Sequence, residues 1–237
     1  MKKTVIAAIL TGGWGLAGPL AADDCAYQEP REERIDAAGL KTLRVIARAG
    51  SLRISGQPGA SAVEIHGTAC ASSRSYLEEI RLRTTRSGST ATVEAEIPDS
   101  WGWRGGERRL DLVLAVPPGL ALDVEDGSGP IDVRNVAAAA VQDGSGEIVI
   151  EGVAGEVRIT DGSGSIDVRD AGSVVIDEDG SGGITVSGVR GNVLVRDDGS
   201  GSISVREVAG DFTVEDDGSG GISHAQVHGR VRVPSRD

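Results

Sequence analysis

Along residues 125–237 apolar and polar positions alternate in short runs that restart after each copy of one tetrapeptide. Asp-Gly-Ser-Gly begins at Asp126, Asp143, Asp161, Asp179, Asp198 and Asp217, at intervals of 17, 18, 18, 19 and 19 residues. The fifth residue after each Asp is isoleucine: Ile131, Ile148, Ile166, Ile184, Ile203 and Ile222. The seventh is Val133, Ile150, Val168, Val186 and Val205, and then His224. One polar or small residue separates the two positions, the period-2 pattern of a half-buried strand. Past Val153-Ala154-Gly155, Val189-Arg190-Gly191, Val208-Ala209-Gly210 and Val227-His228-Gly229, a second alternation follows: Val157/Ile159, Val174/Ile176, Val193/Val195, Phe212/Val214 and Val231/Val233. Those glycines predict a corner that needs backbone angles other residues resist.

A unit of about 18 residues holding strand, corner, strand and corner has no room for a helix and cannot bury its apolar face alone. The pattern therefore predicts an all-β fold, a single-stranded β-solenoid of the β-helix or β-roll kind, with equivalent strands stacked ~4.8 Å apart. Right-handed winding follows from the preference of parallel crossovers. Two strands per coil favour a flattened, two-sheet cross-section over a three-sided one.

Residues 40–124 carry the same alternation with longer connections, at Leu43/Val45/Ala47, Leu52/Ile54, Val63/Ile65, Ile80/Leu82, Val93/Ala95/Ile97, Leu110/Leu112/Leu114/Val116 and Leu120/Leu122/Val124. They read as a less regular prelude. With no linker before the first Asp-Gly-Ser-Gly, residues 23–237 are expected to be one domain, irregular coils over 23–124 and six repeats over 125–237. At the far end Arg230, Arg232, Pro234 and Arg236 suit a terminal coil whose edge must not recruit another chain. His224 fits that capping role better than a metal role.

Residues 1–22 open with Lys2 and Lys3, run through Val5–Leu10 and end at Pro19-Leu20-Ala21-Ala22, a secretory signal peptide by pattern. Removing it leaves no transmembrane segment. Asp23 and Asp24 before Cys25 do not suit lipidation. In an oxidising compartment Cys25 and Cys70 have only each other as partners, and a disulfide is expected. It would close a loop of about 45 residues, worth on the order of 4 kcal/mol in the chain-entropy model, and would pin a frayed polar N-terminus.

Composition sharpens this reading. Aromatic residues make up 3% of the chain against 35 glycines, as a thin interior of branched aliphatics requires. The formal net charge is -12. From Glu125 onward acids outnumber bases 21 to 9, so the acid sits on the repeats. Nucleic acid and anionic membrane are disfavoured as partners, and cations or basic surfaces favoured. Arg158, Arg169, Arg196 and Arg206 read as a solvated outer face.

The Gly-Ser-Gly-x-Ile-x-Val and Gly-x-Val-x-Val units behind an exported N-terminus resemble the bacterial putative-adhesin family of β-strand repeats, a group of unknown function. The resemblance covers roughly residues 40–233. It implies a solenoid, a periplasmic or cell-surface location and a non-enzymatic adhesin-like or envelope-structural role, with no active-site residues to carry over. No sorting signal or C-terminal membrane barrel of a true surface adhesin is expected from this sequence.

Two other functions were weighed. A carbohydrate-active enzyme on a β-helix would use paired carboxylates, but Glu125/Asp126, Glu178/Asp179, Asp197/Asp198 and Asp216/Asp217 recur with the repeat, whereas a catalytic pair should depart from it. A calcium-stabilised structural protein would use the ladder Asp126, Asp143, Asp161, Asp179, Asp198 and Asp217. Asp before Gly is first of all a turn residue, and the preferred expectation is a turn with no cofactor. Outside the repeat, Pro98–Arg109 holds Trp101, Trp103 and Arg104. As a protruding loop it could contact an envelope partner or glycan, since tryptophans stack on sugar rings and make binding hot spots. Rings folded back over the solenoid are the preferred alternative.

Overall fold

The computed structural model describes residues 25–98 and 106–235. The signal-peptide reading of 1–22 and the Trp101, Trp103 and Arg104 loop lie outside these residues. Chain order runs β1 (Tyr27–Asp36), β2 (Thr42–Ala49), β3 (Leu52–Gly56), β4 (Ala62–Ala71), α1 (Arg74–Glu79), β5 (Arg81–Ser87), β6 (Thr90–Glu96), β7 (Arg108–Val116), β8 (Ala121–Ser128) and β9 (Ile131–Arg134). It continues through β10 (Ala138–Asp143), β11 (Ile148–Asp161), β12 (Ile166–Asp179), β13 (Gly182–Val189), β14 (Val193–Asp198), β15 (Gly201–Val208), β16 (Phe212–Asp217), β17 (Gly220–Val227) and β18 (Val231–Arg232).

These strands stack as a β-solenoid in two parallel ladders. One passes through β6, β2, β8, β10, the second halves of β11 and β12, then β14, β16 and β18. The other passes through β7, β3, β9, the first halves of β11 and β12, then β13, β15 and β17. The repeat isoleucines stay in register, Ile131 with Ile148, Ile148 with Ile166, Ile166 with Ile184 and Ile184 with Ile203. All five of these isoleucines are buried, together with Val133, Ile150, Val168, Val186 and Val205. They join one apolar cluster running from Ile35 to Val214.

The less regular N-terminal region is stacked out of sequence order. β2 lies between β6 and β8, and β3 between β7 and β9, so the coil made of residues 42–56 is flanked on both sides by later chain. Alternation marks these strands without saying which neighbours they take. Beyond this stack the pairing turns antiparallel, β4 on β7, β1 on β4 and β5 on β6, which covers that end of the rod.

The polar N-terminus is held along its length. Residues 27–36 pair with β4 along their whole length, although Ile35 is their one buried residue. Arg31 donates to the carbonyls of Ile80 (3.2 Å) and Leu77 (3.2 Å), tying β1 to the end of α1. That single-turn helix is capped by Ser73, whose Oγ accepts from the Tyr76 amide. Cys25 and Cys70 form the expected disulfide, with Cα atoms 5.4 Å apart. Reduction should release β1 first. Hydrogen exchange in residues 27–36 is expected to accelerate while the coils from Ile131 to Val214 keep their protection.

At the other end no described residue packs over the last coil. Ile222, Val227 and Val231 are partly exposed and Val233 is 38% exposed, because no further coil packs on them. His224, in the register slot of Val205, turns its ring toward Phe212 at 6.2 Å. Arg230 binds Asp211 through both its amide (2.9 Å) and its guanidinium (3.4 Å).

Candidate functional site

Each Asp-Gly-Ser-Gly is the corner that carries the chain from the first ladder to the second. Both glycines are dictated by the coil below. A Cβ on Gly162 would lie 2.5 Å from the Gly144 oxygen, and one on Gly164, whose φ is +143°, 1.7 Å from the Gly146 oxygen. The same approach repeats up to Gly218 and Gly220. Backbone bonds lace the corners together, Gly162 N–H to Asp143 O (3.1 Å) and Gly164 N–H to Ser181 O (2.8 Å), with equivalents from coil to coil. The serines face outward and are partly or fully exposed.

The aspartates face inward. Asp126, Asp143, Asp161, Asp179 and Asp198 are between 6% and 0% exposed. In adjacent coils they are register partners, Asp143 with Asp161, Asp161 with Asp179 and Asp179 with Asp198, followed by the partly buried Asp217. The turn-residue expectation is met in one hydrogen bond, Ser163 N–H to Asp161 Oδ1 at 3.2 Å. Both oxygens of Asp126, Asp143, Asp179 and Asp198, and Oδ2 of Asp161, have no hydrogen-bond partner. The amides of Gly144, Gly162, Gly180 and Gly199 are committed to the Asp carbonyls of the coil below, and those of Ser128, Ser145, Ser181 and Ser200 lie near the carboxyls of their own corners without an aligned hydrogen bond.

Burial penalises the charged form, and it pushes Asp126 and Asp179 up to about 7. Asp143, Asp161 and Asp198 are also raised, again first by burial. Neighbouring aspartate charges add to the rise at Asp126, Asp161, Asp179 and Asp198. Backbone amides of the corner pull the other way without cancelling it. Sequence reading misses this inward turn because Asp-Gly is the usual signature of an exposed turn. The available signal was parity, and it serves only the first three: Asp126, Asp143 and Asp161 lie two residues beyond the buried Val124, Val141 and Ile159, whereas Asp179, Asp198 and Asp217 lie three beyond Ile176, Val195 and Val214. The change begins at a bulge, where Thr160 pairs with Glu178. Among the described residues no three His, Cys, Asp or Glu side chains are placed to hold a metal ion.

The opposite corner departs from expectation. The left-handed residues there are Asn135, Gly152, Asp170, Gly188, Glu207 and Gln226, with φ between +54° and +72°. Gly172, Gly210 and Gly229 are needed instead for closeness, since a Cβ on each would meet backbone of the coil below within 2.4–2.7 Å. A shallow groove beside this corner is lined by Val189, Arg190, Glu207, Ala209, Gln226 and His228. A more polar depression formed by Arg48, Arg81, Glu94 and Glu96 opens next to Pro98, where the described residues stop before the tryptophans.

The outer faces hold ion pairs that bridge coils. Asp177 receives Arg158 from the coil below and Arg196 from the coil above, each at 2.5 Å. Arg134 spans to Asp132 (2.8 Å) and Glu151 (2.6 Å). The expected solvated arginine face also bridges coils at Arg158 and Arg196, while Arg169 pairs with Asp167 of its own strand.

Fold and corner define a β-solenoid with an internal aspartate ladder. No family model and no curated protein matches the chain. Solved structures that resemble it include a putative cell adhesion protein from Clostridium sporogenes, with 12% identity, 86% of this chain and 99% of that chain covered, and a TM-score of 0.38. A putative adhesin from Bacteroides fragilis matches at 10% identity over 89% of this chain and 99% of that one, with a TM-score of 0.43. A putative lipid binding protein from Parabacteroides distasonis matches at 14% identity over 89% and 98%, with a TM-score of 0.41. Likeness at this level speaks for no ligand, and the solenoid rests on its own strand register.

Proposed function

We propose that this chain is an exported, non-enzymatic β-solenoid that acts as an adhesin-like binding scaffold of the cell envelope or cell surface. The observation that carries the reading is the division of charge between inside and outside. In each recurrent acidic pair from Glu125/Asp126 to Asp197/Asp198 one carboxyl, Asp126, Asp179 or Asp198, is turned into the corner away from its exposed neighbour, while the outer faces carry Arg–Asp and Arg–Glu pairs that brace coil against coil. Such a rod displays a fixed surface and offers substrate no carboxylate at the ladder. The Cys25–Cys70 disulfide supports export, because such bonds persist in oxidising compartments. The contact site proposed is the segment holding Trp101, Trp103 and Arg104, and the partner an envelope component, a glycan among the candidates.

Pull-down from envelope extract and glycan-array binding test this reading. Changing Trp101→Ala together with Trp103→Ala should abolish capture and leave the melting temperature within about 2 °C of wild type, as loss of a surface hot spot does. A marked loss of thermal stability with unchanged capture would assign both rings to packing.

A further inference from the structure

The aspartate ladder is unlike the rest of the chain's charge. Five carboxyl groups are stacked on successive coils with nine oxygen atoms lacking a hydrogen-bond partner. A buried carboxylate without a partner costs several kcal/mol, and five in a row cannot all be ionised in a stable rod. Either the groups hold protons or a cation sits among them, and the absence of any three-residue ligand cluster among the described residues favours protons.

We propose that the corner is a proton-loaded ladder, in which protonated carboxyls among Asp126, Asp143, Asp161, Asp179 and Asp198 donate O–H hydrogen bonds to carboxylate oxygens on adjacent coils, and in which loss of those protons loosens the solenoid. Register partners on parallel strands are ~4.8 Å apart, a gap that a side-chain rotation closes to an O–H···O⁻ bond. The protons come from solvent as the corner folds, and no other reactant is needed.

Every charged group facing the ladder is compatible with this. From below, β2 presents the buried Ala47 and then Arg48, the register partner of Asp126, whose guanidinium is held by Glu94 at 3.2 Å. Within the ladder Asp126 meets Asp143 alone, each of Asp143 to Asp198 meets the Asp of the coils on either side, and Asp197 adds its charge at Asp198. Glu125, Glu178 and Asp216 flank the same strand ends, all exposed and all acidic. No Arg or Lys forms an ion pair with these five carboxyls among the described residues.

The direction of the pH effect follows. The groups bind protons more tightly folded than unfolded, so their stabilisation is complete below the ordinary value of 3.8, is lost as pH rises toward about 7, and stays lost above it. Ordinary carboxylates held by arginines give the opposite slope, so the comparison must be made with a ladder variant. Asp179→Asn keeps the shape, removes one titrating group and supplies a donor to both neighbours.

Thermal melts of the whole protein with a chelator, from about pH 5 to about pH 9, should show Asp179→Asn gaining on wild type as pH rises, by roughly 5 °C or more above about pH 7. Independently, the infrared C=O stretch of protonated carboxyl should be present in wild type near pH 6 and vanish near pH 9. A difference between variant and wild type that does not change with pH, or a missing protonated-carboxyl band near pH 6, overturns the proposal. So does a saturable rise in wild-type melting temperature on adding calcium above about pH 7 that Asp179→Asn abolishes, because the ladder would then be a cation site. The infrared measurement needs no variant and stands if Asp179→Asn fails to fold.

Discussion

Replacing Ile166 with aspartate is expected to destabilise the protein by about 4 kcal/mol or more, enough to unfold the coils around it near neutral pH. Ile166 is 1% exposed and lies between Ile148 and Ile184 in the central stack. The substitution removes an aliphatic side chain that touches both neighbours and leaves a carboxylate with no donor nearby. Ile166→Val, which deletes one methylene, should cost only about 1 kcal/mol. Arg169→Ala, three residues on and exposed, should cost within about 0.5 kcal/mol, since its pair with Asp167 is near the surface. Urea titration of the three variants checks the order. Similar midpoints for Ile166→Asp and Arg169→Ala would mean that the inward and outward faces are reversed.

Gly201→Ala should be nearly as damaging, although it adds a single methyl group. Gly201 has φ +151°, and its Cβ would stand 1.4 Å from the Gly182 oxygen, inside the backbone of the coil below. The corner would have to lift, breaking the bond from Gly201 N–H to Ser219 O (2.8 Å) and disturbing Gly182 N–H to Ser200 O (2.9 Å). A loss of about 3 kcal/mol is expected from strain and broken bonds together. Gly221→Ala, in the last coil with open space where its Cβ would go, should change stability by no more than about 0.5 kcal/mol. Equal effects at the two positions, measured by thermal denaturation, would refute the close-approach account of the second glycine.

The contrast between these residues explains how much the sequence revealed. Ile166 was legible because its role is written in its period: an isoleucine five residues after each Asp has one face to go to. Gly201 was legible as a corner, but its need for closeness to Gly182 depends on coils that sequence spacing does not superimpose. At Gly155, Gly191, Gly210 and Gly229 this led to the wrong reason for a correct residue, since a Cβ there would crowd the coil below and the unusual backbone angle belongs to Asn135, Gly152, Asp170 and their successors. Asp179 was misread in character, because a polar residue before glycine normally seeks water and the bulge at Ile159/Thr160 hides its phase. β1 and α1 escaped notice for opposite causes. Residues 27–36 are held at an edge by backbone bonds and carry one buried side chain, while α1 is too short to show a 3.6-residue period.

The displaced position of β2 and β3 sets an order of events in time. A chain that emerges N-terminus first can extend the regular coils one by one, since each of β10 to β18 docks on strands already made. The coil at residues 42–56 has no such predecessor: its neighbours on both sides come from residues 90–96, 108–116, 121–128 and 131–134. It must wait until the segment through Arg134 is free, so the first half of the rod forms as one slow, long-range step and the second half zips onto it. Truncating the chain before residue 134 should therefore forfeit the whole N-terminal block, whereas shortening it from the other end removes coils singly.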